Sequence, residues 1–146
     1  MTNQIPEMLL FEGKKVAMFT EPLGDYFDMC GLEPPFRSTS TALWRGYVGS
    51  WEIINERLYI IGLDGNLVGG RDATLATVFP DFPERVFAHW YSGEIRIPEG
   101  RVLRRVYAGY ASVFERDLIF ELERGVVAKV TVRDNSAATY DDDDDI

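Results

Sequence analysis

One cysteine and one histidine in 146 residues leave little room for thiol or imidazole chemistry. A single Cys30 excludes an intramolecular disulfide and any cysteine-rich metal set, and a lone His89 excludes a histidine cluster. No metal ion or cofactor is therefore expected. A lone thiol suits a reducing compartment, and Met1-Thr2-Asn3-Gln4 lacks the basic start and apolar run of a secretory signal, so the expected location is cytoplasmic. No apolar stretch approaches the roughly 20 residues a membrane helix needs. Glycine-rich phosphate loops, dinucleotide fingerprints and serine-nucleophile elbows are also missing.

Positive charge is scarce as well. Lys and Arg number 15 against 24 Asp and Glu, for a net charge of −9. Such a surface repels phosphate backbones and anionic lipid, so neither nucleic acid nor membrane is an expected partner. The imbalance is concentrated at one end. Without the five aspartates 141–145, 19 acidic residues face 15 basic ones. Residues 134–146 are polar and offer little to bury, which predicts a disordered acidic tail behind a single domain over residues 1–133.

What the chain does have is aromatic area and strand patterning. Nine Phe, seven Tyr and three Trp can close a core even in a thin β layer. Residues 8–11 and 16–19 are apolar around Glu12-Gly13-Lys14-Lys15 and predict an N-terminal hairpin. Residues 20–41, with three prolines and two glycines, predict a long irregular loop, partly packed through Tyr26, Phe27, Met29 and Phe36. Residues 42–54 and 57–63 predict two strands joined at Asn55-Glu56, with a turn at Asp64-Gly65-Asn66. Residues 72–78 predict one short helix, capped by Asp72 and stopped by Pro80.

In the second half, Ile95 and Ile97 alternate with polar residues, and so do Leu118, Phe120 and Leu122. Ala128, Val130 and Val132 follow the same two-residue period. Pro98-Glu99-Gly100 and Glu123-Arg124-Gly125 predict turns. The expected fold is mainly β: an antiparallel sheet or meander, or a partly closed β-barrel, with one short helix. Arg45-Gly46-Tyr47-Val48-Gly49-Ser50-Trp51-Glu52 and Ala108-Gly109-Tyr110-Ala111-Ser112-Val113-Phe114-Glu115 share a Gly-Tyr step before an aromatic–Glu pair, a weak internal similarity.

Two stretches carry a resemblance. Thr41-Ala42-Leu43-Trp44-Arg45-Gly46-Tyr47 with Trp51-Glu52-Ile53, and Val86-Phe87-Ala88-His89-Trp90-Tyr91-Ser92-Gly93 with Ile95-Arg96-Ile97-Pro98, resemble a family of small uncharacterised bacterial proteins. That family has no established activity, so the resemblance implies a bacterial, cytosolic, single-domain protein and transfers no catalytic residues.

Trp44, Arg45, His89 and Trp90 are the candidate binding residues. Arg beside aromatics clamps carboxylates or stacks on rings, and otherwise forms a structural ion pair, for which Glu52 or Glu94 are the candidate partners. A histidine among aromatics can act as a general base, and otherwise sits partly buried on a backbone bond. No catalytic residue is assigned. The first reading is a non-enzymatic protein that binds another protein, by its charge a basic one, in the manner of an immunity protein or antitoxin. The alternative is a small-molecule-binding β module, or an enzyme with a pocket near those four residues. Exposed apolar surface favours the first, and a concave pocket with convergent polar groups favours the second.

Overall fold

Three tight reversals organise the sheet. Glu12-Gly13, Asn55-Glu56 and Arg124-Gly125 each place two successive residues at positive φ, between 51° and 82°. That backbone is the type I′ hairpin turn, whose twist matches that of the strands it joins. The turns create three antiparallel hairpins: β1 (Glu7–Phe11) with β2 (Lys14–Met18), β3 (Tyr47–Ile54) with β4 (Arg57–Asn66), and β8 (Val113–Glu123) with β9 (Val126–Asp134).

The computed structural model describes residues 3–82 and 84–136. The protein is mainly β, a nine-stranded sheet with main path β2-β1-β3-β4-β9-β8-β7, where β7 is Gly93–Arg104. Two-residue strands β5 (Asp72–Ala73) and β6 (Val86–Phe87) pair with β4 off that path. The named strands pair antiparallel except β1 with β3, which is parallel, so the sheet is mixed. No β ladder closes it into a barrel among the described residues. Its ends still touch: the Phe19 N–H donates to the Arg96 carbonyl at 2.8 Å. The seam lies elsewhere, because β4 and β9 pair only at Arg57 and Val126.

That seam explains a difference from the sequence pattern. Ile95, Ile97, Phe120 and Leu122 are buried as their alternation predicts, whereas Val130 and Val132 are exposed. They share a face with Phe120 and Leu118 across the β8–β9 ladder, but β9 leaves β4 at once and no other strand among the described residues pairs with its far half. β9 also takes in Asp134, and the buried Asn135 donates its side-chain N–H to the Phe114 carbonyl and to Asp117. The strand thus ends beyond the boundary expected at Arg133. The rest of the expected tail, residues 137–146, lies outside the described residues.

Other expectations are corrected. The predicted loop over 20–41 contains a helix, α1 (Pro22–Cys30), so the described residues hold two short helices rather than one. Pro22 stands in the first turn, where a missing N–H costs nothing, and Gly31 closes the helix at φ 66°. Pro22, Leu23 and Phe27 form its buried face. The second helix, α2 (Leu75–Val78), is capped at Thr74, whose N–H donates to Thr77 Oγ1 at 3.0 Å, because Asp72 is held in β5. Asp64-Gly65-Asn66 does not turn. It continues β4 beside Tyr47, where a Cβ on Gly65 would stand 2.7 Å from that of Tyr47. Pro98-Glu99-Gly100 is a bulge inside β7, not a reversal: the Glu115 carboxylate accepts the Arg101 N–H at 3.0 Å.

Candidate functional site

α1 buries Pro22, Leu23 and Phe27, and its two aromatic residues meet different neighbours. Phe27 meets Phe36, which in turn meets Tyr47 at the start of β3, with ring centroids 5.9 and 4.5 Å apart. Tyr26 meets Phe79 and Trp90 at 4.8 and 4.9 Å. The Trp90 indole N–H donates to the Pro22 carbonyl at 2.8 Å, which ties the loop after β6 to the first turn of α1.

Three hollows follow this aromatic band. The first, of about 350 Å³, is lined by Glu21, Gly24, Phe27, Pro34, Phe36, Trp44, Arg45 and Tyr47. The second, of about 210 Å³, shares Phe27 and adds Tyr26, Leu32, Glu33, Pro35, Thr77 and Val78. The third, of about 380 Å³, shares Tyr26 and is walled by Tyr59, Phe79, Phe82, Arg85, Val86, Phe87, His89 and Trp90. Each hollow has one prominent exposed apolar side chain: Trp44 at 63%, Leu32 at 57% and Phe82 at 54%.

The four candidate residues are therefore divided. Trp44 and Arg45 line the first hollow, and His89 and Trp90 line the third, with Tyr26 and Phe27 between them. His89 is exposed, with its ring edge toward Trp90 at 5.5 Å, so the expected partly buried histidine is not what forms. Cys30 is the exposed last residue of α1. Among the described residues no three His, Cys, Asp or Glu side chains gather as a metal set, and no helix is long and apolar enough to cross a membrane.

Arg45 pairs with neither Glu52 nor Glu94. Its Nε and Nη2 donate to Glu7 Oε2 at 3.1 and 2.8 Å, and Nη2 also reaches the Ile5 carbonyl at 2.7 Å. The Gly49 N–H donates to the same Glu7 oxygen at 2.8 Å, and the Trp51 indole N–H to Oε1 at 2.9 Å. Glu7 is fully buried. Burial holds its carboxyl above the ordinary range, only partly offset by Arg45, Gly49 and Trp51. Glu21 Oε2 lies 3.4 Å from Arg45 Nη1 and accepts the Tyr110 hydroxyl. Burial alone would lower the Arg45 pKa, but Glu7 and Glu21 outweigh it and hold the guanidinium charged.

The sequence pattern named Arg45 but neither of its carboxylates. Glu7 sits on β1 and Glu21 before α1, 38 and 24 positions away, with no periodic signal. Both Gly-Tyr steps of the internal similarity end near this network: burial first, then Glu7 and Glu21, raise the Tyr47 pKa, and burial with the Glu21 hydrogen bond raises that of Tyr110.

Tyr91 adds a titration within reach. Burial, then Asp25 and Glu94, push its phenol to about 12 from 10.0. A folded pKa above the unfolded one means stability that is complete below pH 10.0 and is lost as pH rises through about 12. Alkaline titration followed by tyrosinate absorbance and circular dichroism is expected to show part of the tyrosinate signal appearing only as the fold is lost. Complete ionisation near pH 10 with the fold intact would contradict the burial of Tyr47, Tyr91 and Tyr110.

Comparison of the chain with protein families, curated proteins and solved structures finds no match. The geometry around α1 carries the functional argument.

Proposed function

We propose that this domain acts without catalysis, by binding another protein across the surface around α1. The observation that carries this reading is the row of hollows joined through Tyr26 and Phe27, each with an exposed Trp44, Leu32 or Phe82. One small ligand fills one enclosed cavity, whereas a row of open hollows fits successive side chains of a polypeptide. Trp44 is also held in place. Its backbone N–H donates to Gln4 Oε1 at 2.9 Å, and Gln4 Nε2 holds the Thr41 carbonyl at 2.8 Å. An exposed aromatic on a fixed backbone loses little freedom when a partner covers it.

Charge supports a basic partner. Glu21, Asp25, Asp28 and Glu33 lie on or beside α1. Burial raises the Asp25 carboxyl above its ordinary value, and the neighbouring Asp28 carboxylate adds a smaller like-charge repulsion that a nearby cation would relieve. Neutralising a basic toxin, as immunity proteins and antitoxins do, is the concrete form of this role.

The test is association kinetics across a salt series with a partner captured from the native host. Steering between opposite charges acts mainly on the association rate and is screened within about 8 Å at physiological ionic strength. Association is expected to slow as salt rises while dissociation changes little. An acidic partner, or an association rate indifferent to salt, would overturn the charge argument.

A further inference from the structure

We propose that the first hollow is a receptor for a cationic side chain, an arginine or lysine of the docking partner, with Glu21 as its counter-ion. This rests on the reading of the α1 surface as the docking face and gives its specificity.

Arg45 in the wall suggests an anion site, but its donors are not on offer. Nε and Nη2 are taken up by Glu7 and the Ile5 carbonyl. Nη1 is buried beside Glu21 and makes no hydrogen bond. Nη1 is thus unbonded but has no exposed surface, so a carboxylate entering the hollow would meet no accessible guanidinium N–H. It would meet Glu21, whose side chain is 33% exposed. Tyr110 and Arg45 both engage Glu21 through Oε2.

The local charge has the sign a cation needs. Two carboxylates, Glu7 and Glu21, face one guanidinium. The start of α1 adds about half a positive charge, which Asp25 in its first turn opposes. The walls supply the second half of a cation site. Arg45 already lies over the Tyr47 ring at 5.4 Å, and the exposed Trp44 and the Phe36 ring remain for an incoming cation. Indole is the strongest of the aromatic cation acceptors, and a planar guanidinium can stack on it while bonding a carboxylate.

The three tryptophans give a direct readout. The Trp51 indole is bonded to Glu7 and that of Trp90 to Pro22, which leaves Trp44 as the reporter at the hollow. The full chain is titrated with N-acetyl-arginine amide, with the uncharged citrulline analogue and with propionate, and indole N–H resonances are followed by NMR. The arginine compound is expected to shift Trp44 saturably while Trp51 and Trp90 stay in place. Glu21→Gln is expected to weaken the response about tenfold or more with the far-ultraviolet dichroism unchanged, and Glu21→Asp to retain part of it. No saturable shift, an equal shift with the citrulline compound, a response to propionate instead, or an unaltered affinity in Glu21→Gln would each overturn the proposal. The docking reading fails separately. Should partner binding depend on Leu32 and Phe82 but not on Glu21, the cation site is wrong and the docking face stands. Arginine binding at Trp44 without partner binding on this face gives the reverse.

Discussion

Glu7→Ala is expected to cost about 3–5 kcal/mol. The reason lies in what stays behind. Arg45 would keep a side chain that is only 10% exposed with Glu21 as its remaining carboxylate among the described residues, and the Trp51 indole and Gly49 N–H would lose their acceptor. Each orphaned buried donor adds about 1–3 kcal/mol in principle, although neighbouring losses of this kind do not sum. Domains of this size hold about 5–15 kcal/mol in all, so a melting midpoint lower by about 10 °C or more follows. The control is the double change Glu7→Leu with Arg45→Met, which removes both charges and is expected to be less damaging than Glu7→Ala alone. Thermal unfolding of the three chains checks this. A loss under about 1 kcal/mol for Glu7→Ala would show that the carboxylate is not the anchor of the network.

Gly46→Ala is expected to be nearly as damaging, for a backbone reason. Gly46 adopts φ 79°, a conformation that costs an L-residue about 1–2 kcal/mol. A Cβ there would stand 2.5 Å from the Arg37 carbonyl oxygen, so the strand of residues leading to β3 would have to move. Gly46 also joins Arg45 to Tyr47, both in the first hollow, and its carbonyl accepts the Asn66 N–H at 2.9 Å. A total near 3 kcal/mol is expected, with loss of binding at Trp44 even where the chain stays folded. Gly13→Ala is the comparison: φ is 78°, but nothing lies within 4 Å of the added Cβ. Denaturant unfolding of the pair separates the conformational cost, common to both, from the clash at Gly46. Equal losses would mean that Arg37 yields freely.

Much of the sheet was legible because alternation reports burial directly. Ile95, Ile97, Phe120 and Leu122 are core residues, and the turns at Asn55-Glu56 and Arg124-Gly125 fall where the apolar runs break. The same pattern misplaced Val130 and Val132, since alternation reports a face and not whether another layer covers it. α1 was hidden by the prolines and glycines around it. Pro22 and Gly31 stood at the two ends that suit those residues and were the available signal. Trp44 and Arg45 were legible as a pair because an arginine beside aromatics is chemically unusual. Glu7 and Glu21 were not, since each is one carboxylate among many until β1 and α1 bring it to Arg45. His89 and Trp90 looked like members of the same site because both stretches are aromatic, and only the position of α1 separates them.

The central claim is that the surface around α1 is a protein-docking face. Its most direct test compares affinity capture from the native host, followed by mass spectrometry, by the full chain and by a chain carrying Leu32→Ser, Trp44→Ser and Phe82→Ser. All three side chains are more than half exposed, so the triple variant is expected to melt within a few degrees of the original. Aromatic anchors such as Trp44 and Phe82 at a docking centre carry about 2 kcal/mol or more each, so binding to the same basic partner is expected to fall by about a hundredfold or more. A partner retained at full affinity by the triple variant, with its fold intact, would contradict the claim and place the interface elsewhere on the domain.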